Sequence, residues 1–265
     1  MESRQTSAVF LVIGVILGLG AGLMLQMIPA PPQKLLTEEI QERGTIRVGT
    51  NTSYTPFIMY NTTTSEFYGF EVDLCDMIAD ELGVTVEWID MDFGLLAEAC
   101  KEGTVDMIAA AISLTPDFAD ELAHSIPHIR MNKVIAVRGN STLSVTDFLD
   151  LVNLQVGVRT GSVQDNEISA LVDFGVNITI HRMAEAESLI AELVAGNLDA
   201  VYTDEPVLSV YSKTHDVRGI YSVSAPPTAF FCRKEERDLM EQINNVIMVA
   251  YNDGDIDALV GKWFT

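Results

Sequence analysis

One construction occurs twice in this chain and restricts its fold more than any other feature. Gly103-Thr-Val-Asp106-Met-Ile is repeated in plan by Gly196-Asn-Leu-Asp199-Ala-Val. Upstream of each copy, Ile46-Arg-Val-Gly49 is echoed by Leu154-Gln-Val-Gly157. In both copies a glycine suited to stopping a helix stands three residues before an aspartate that opens an apolar strand. A short acid at such a turn holds backbone amides, so Asp106 and Asp199 are expected to be structural.

The surrounding pattern is the same in each half. Apolar residues at Phe70, Leu74, Met77, Ile78 and Leu82 mark an amphipathic helix that stops at Gly83. A strand over 84–89, a helix carrying Leu95, Leu96 and Ala99, and an apolar strand over 107–111 follow. In the second half Ser162 caps a helix bearing Ile168 and Leu171, residues 177–180 read as a strand, and Ile190, Leu193 and Val194 lie on a helix ending at Gly196. This β-α-β-α-β order predicts two α/β halves, each a parallel sheet with helices on its faces. Ligands of such sheets bind beyond the carboxyl ends of the strands, where the loop of Ser113, Thr115 and Pro116 lies.

Composition removes several functions. The net charge of −22 and the lack of a basic cluster argue against nucleic acid as a partner. The cysteines Cys75, Cys100 and Cys232 are too far apart in sequence for a metal-binding spacing, and no cofactor is implied. The histidines are scattered, and no Ser-His-Asp order, HExxH or phosphate-binding glycine loop is present. Residues 8–28 form an uncharged apolar run long enough to span a bilayer. Arg4 before it favours an N-terminus inside and a body outside. No small-x-small cleavage site follows, so an uncleaved anchor over 1–34 is favoured over a removed signal peptide. The sequons at Asn51, Asn61, Asn140 and Asn177 agree with an outside location.

Several motifs, in this order and spacing, resemble the periplasmic solute-binding proteins of the polar amino acid type, the receptors of ABC importers. They are Gly44-Thr-Ile-Arg-Val-Gly-Thr-Asn-Thr-Ser-Tyr-Thr-Pro-Phe57, Tyr68-Gly-Phe-Glu-Val-Asp-Leu74, Ser113-Leu-Thr-Pro116, Val156-Gly-Val-Arg-Thr-Gly-Ser162, Leu198-Asp-Ala-Val-Tyr-Thr-Asp-Glu-Pro206 and Gly261-Lys-Trp-Phe264. The resemblance implies a two-lobed periplasmic binding protein-like α/β fold of type II, with two parallel-sheet lobes joined by a two-strand hinge. Lobe 1 would be residues 35–136 plus 227–265 and lobe 2 residues 137–226, with crossings near 133–138 and 225–230.

It also implies a site. Tyr54 and Phe57 match an aromatic wall, Ser113 a ligand-holding hydroxyl, and Ala111 a backbone carbonyl that accepts from an ammonium. Gly161 and Ser162 match an anion-binding loop, and Asp204 the acid paired with the ligand ammonium. One departure stands out. Phe118 occupies the place of the arginine that usually forks onto the ligand carboxylate, and phenylalanine cannot do this. Either Arg159 supplies the guanidinium from the other side, or the ligand is an amine without that carboxylate and Phe118 offers it an aromatic face. The implied function is a monomeric, membrane-tethered receptor that delivers an amino acid or related small amine to an ABC permease, without catalysis. The alternatives are a cyclohexadienyl dehydratase-like enzyme, which would need a general acid in the cleft, and a sensing domain acting through a partner.

Overall fold

The computed structural model describes residues 34–264 apart from Ser53. The apolar run over 8–28 lies outside the described residues. Among the described residues no helix is long and apolar enough to cross a membrane.

The chain opens with helix α1 (Leu36–Arg43) and strand β1 (Thr45–Thr50), then a hairpin of β2 (Met59–Asn61) and β3 (Glu66–Tyr68). Helix α2 (Phe70–Leu82), strand β4 (Thr85–Asp90), helix α3 (Leu96–Lys101) and strand β5 (Met107–Ile108) follow. After α4 (Pro116–Glu121) and β6 (Ala123–His124) come β7 (Asn132–Arg138), β8 (Gln155–Arg159), α5 (Val163–Asp173), β9 (Thr179–Met183), α6 (Ala186–Ala195) and β10 (Ala200–Asp204). The chain ends with α7 (Glu205–Ser212), β11 (Val217–Ser224), β12 (Phe231–Cys232), α8 (Arg237–Asp253) and α9 (Asp255–Trp263).

These strands form two five-stranded sheets, ordered β4-β1-β5-β12-β6 and β11-β7-β10-β8-β9. The expected parallel units are present as β4-β1-β5 and β9-β8-β10. The sheets as a whole are mixed, because each parallel unit gains antiparallel neighbours. The antiparallel neighbour of β5 is β12, and that of β10 is β7. Both arrive from the other sheet, so they enter in the opposite direction. Strand β7 pairs within the second sheet from Asn132 onward. The division between sheets therefore falls before that strand, not at residue 136. The strand expected over 107–111 is also shorter: it ends at Ile108, and Ala111 takes a left-handed φ of 52°.

Packing follows the sequence periodicity. In the first lobe Phe70, Leu74 and Ile78 of α2 bury against Ile243 and Ile247 of α8. In the second, Val156, Val158, Ile168 and Tyr202 form the corresponding core. All three cysteines are free and buried in the first lobe. Burial pushes the Cys100 and Cys232 thiols up to about 12, and Cys75 well above its ordinary value.

The repeated aspartates do the same work in both lobes. Asp106 accepts from the Arg47 amide at 2.8 Å, and Asp199 accepts from the Gln155 amide at 2.8 Å. Arg47 and Gln155 are equivalent positions of the echoed strands. Asp106, fully buried, also receives the Arg43 and Arg47 guanidinium groups. Removing it strands an amide and two cations. Asp106→Ala is expected to cost about 3 kcal/mol, and Asp199→Ala only about 1 kcal/mol, as read by denaturant unfolding.

Candidate functional site

Each lobe sends loops from the carboxyl ends of its parallel strands toward the other. Tyr54 follows β1, Phe93 follows β4, and the segment 109–115 follows β5. From the second lobe come Arg159 and Asp204, the last residues of β8 and β10.

Arg159 is 6% exposed. Its guanidinium carbon lies 3.7 Å from the Tyr54 ring centroid and 4.2 Å from that of Phe93. Two rings so close to one carbon cannot share a side, so they cover one face each. Stacking of this kind suits guanidinium, whose planar faces are weakly hydrated. Its nitrogens are different: Nε and Nη1, which face different edges of the group, are buried with no hydrogen-bond partner. A buried donor left unpaired costs about 1–3 kcal/mol.

Asp204 stands at the start of α7, yet its side chain makes no capping bond. Instead it accepts from the Tyr54 hydroxyl and, at 2.8 Å, from Gln164 Nε2. Burial raises its carboxyl above the ordinary 3.8, opposed by Tyr54, Arg159, Lys133 and Gln164. Burial likewise drives the Tyr54 phenol well above its usual range, so it remains a donor to Asp204. Lys133 sits opposite Asp204 in the β7–β10 register and pairs with Glu167.

The first-lobe wall is held from behind. Glu71, fully buried, accepts from the Ala111 amide at 2.8 Å and contacts His128 Nε2 at 2.9 Å. His128 stacks on Phe230 at 4.3 Å, within the segment that crosses between lobes. The strained Ala111 turn is thereby tied to the crossing.

The structure brings Ala111, Ser113, Phe118, Arg159, Gly161, Ser162 and Asp204 to one cavity, with Tyr54 bonded to Asp204 at its edge. Two expectations are corrected. Phe57 is fully buried against Tyr54, Phe70 and Phe264, so it is core and not wall. Gly161 and Ser162 do not offer free amides. Gly161 donates to Asp165 Oδ2 at 3.0 Å and Ser162 to the Arg159 carbonyl at 3.1 Å. Asp165, four residues beyond Gly161, fills the anion position from within the chain, and Arg182 supports it. Phe93 and Gln164 were missed. Phe93 had a readable signal, since it lies just beyond the carboxyl end of β4; Gln164 had none that separates it from an ordinary helix residue.

Two α/β lobes whose strand ends face each other across a small ionic cavity define a binding protein of the two-lobed type. The chain belongs to the bacterial extracellular solute-binding proteins, family 3, whose family model matches residues 46–265. That family acts outside the cytoplasm. A probable histidine-binding protein of Campylobacter jejuni is 26% identical over 224 residues, 83% of this chain and 84% of that protein. Among solved structures, a mutant of ArgBP from T. maritima matches with a TM-score of 0.81 and 30% identity, covering 87% of this chain and 99% of that one. An ancestral amino acid-binding protein, a precursor of cyclohexadienyl dehydratase, matches with a TM-score of 0.79 and 29% identity, covering 88% and 100%.

Proposed function

We propose that this chain is a receptor that captures an amino acid or related small amine and passes it to an ABC permease, tethered by the apolar run over 8–28. The observation that carries the ligand assignment is the presence of buried, unpartnered Arg159 donors, Nε and Nη1, beside the carboxyl of Asp204. A zwitterion answers both charges: its carboxylate accepts from the Arg159 guanidinium and its ammonium pairs with Asp204. The missing arginine at Phe118 is thus replaced from the opposite lobe. The named relatives above are binding proteins, which supports capture without chemistry. The tether rests on the length of the apolar run and its lack of a cleavage site; a cleaved signal is the alternative.

A thermal-shift panel on the full-length chain tests this, with the common amino acids, polyamines, prephenate and arogenate. A ligand at 100 times its Kd should add about 2.7 kcal/mol. Stabilisation by at least one amino acid is expected. Turnover of prephenate or arogenate would instead support the dehydratase alternative, with buried Asp204 as the acid.

Asp204 also sets a pH dependence. Its folded value is raised, so the stability it contributes is full below 3.8 and is lost as pH rises through the folded value. Ammonium binding runs the other way, because it requires the ionised form. Kd is expected to rise on acidification, by up to about tenfold per pH unit, beginning above the ordinary carboxyl value. Titration calorimetry across that range checks it, and Asp204→Asn should flatten the profile.

A further inference from the structure

Tyr54 and Phe93 form a slot for a flat group, and that slot is filled from within. The Arg159 guanidinium lies between the two rings, at 3.7 and 4.2 Å. The cavity that remains around Ala111, Ser113, Phe118, Arg159, Gln164 and Asp204 has a volume of about 30 Å³. That is room for about two or three water molecules.

The polar groups leave a simple balance. Arg159 has buried donors without partners, and its single charge balances one anion. The neighbouring amides of Gly161 and Ser162 are already bonded, so a second carboxylate finds no donors there. Asp204 can take one ammonium. A second cation would find the inner ring faces covered by Arg159, and the nearby acid Glu185, whose buried Oε2 has no partner, already lies within the field of that same guanidinium.

We propose that Arg159 is a specificity-determining residue that occupies the aromatic slot itself, so that the cleft selects zwitterionic amino acids with short, uncharged side chains and excludes long cationic or flat ones. This rests on the receptor reading above and names its ligand class. The discrimination is mostly exclusion: a guanidinium or imidazole on the ligand meets a filled slot, and the guanidinium meets a like charge as well.

The test uses the full-length chain and its Arg159→Ala variant in thermal-shift titrations. The probes are glycine, alanine, serine, histidine, arginine and agmatine, which carries a guanidinium and an amine but no carboxylate. The wild type should respond to one or more of the three small amino acids, with a rise of about 5–10 °C at 100 times Kd. It should not respond to arginine, histidine or agmatine. Arg159→Ala should lose the small amino acids and gain agmatine, whose guanidinium enters the vacated slot while its amine meets Asp204. The wild-type selectivity alone tests the idea if the variant does not fold. A wild type stabilised by arginine, histidine or agmatine overturns the specificity proposal and leaves the receptor reading standing. A wild type stabilised by no amino acid at all overturns both.

Discussion

Arg159→Ala is expected to weaken binding of a carboxylate ligand by at least about 30-fold, since truncating one partner of a buried charged pair costs 2–5 kcal/mol. The geometry explains why so much rests on one residue. The usual arginine is replaced by Phe118, which packs on Phe231 at 5.4 Å and donates nothing. The loop amides that could share the anion are spent on Asp165 and on the Arg159 carbonyl. The ligand-free protein should behave differently. There the variant loses two aromatic contacts but also removes buried donors that have no partner. Its melting temperature should therefore change by less than about 5 °C. Arg159→Lys should recover only part of the affinity, because a point charge lacks both the flat faces and the fork. A variant that loses stability and keeps its ligand would reassign Arg159 to a structural role.

Glu71→Ala should show the reverse pattern, with a large loss of stability. Glu71 is fully buried and joins the Ala111 amide to His128, which is itself fully buried. Truncation leaves both groups without partners and opens a cavity. The expected cost is about 3–5 kcal/mol, or more than about 6 °C in melting temperature. Glu71→Gln keeps the volume and an acceptor, and should cost less than half as much. Because Glu71 holds the amide of the left-handed Ala111, Glu71→Gln should also loosen ligand binding. A wild-type melting curve for Glu71→Ala would show that neither bond matters.

Much of the fold could be read from the chain because the patterns that specify it are local. Helix stops at Gly83 and Gly196 take the expected left-handed turns, and the repeated aspartates hold equivalent amides. The antiparallel strands β7 and β12 were not readable in the same way. Their pairing depends on where the chain returns from the other lobe, which no local period records. The charged candidates Arg159 and Asp204 could be singled out in the chain, Asp204 by its place in a motif and Arg159 because a departure from an expected motif draws attention to nearby compensation. It was unreadable where roles exchange. Phe57 and Phe93 are equally plausible walls as residues, and only packing sends the first into the core. Likewise nothing in Gly161-Ser-Val-Gln-Asp165 announces that the final acid will occupy its own loop.

The three buried thiols give this molecule a built-in reporter of motion. With values near 12 for Cys100 and Cys232, roughly one thiol in 100,000 is ionised at neutral pH even before access is considered. An alkylating reagent will therefore register them only when the surrounding packing opens. All of them sit in the first lobe, none in the second. Labelling rates thus isolate the breathing of one half of the molecule, with the other half silent. An added ligand that rigidifies the Ala111 turn should slow that clock without any dye, tag or engineered residue.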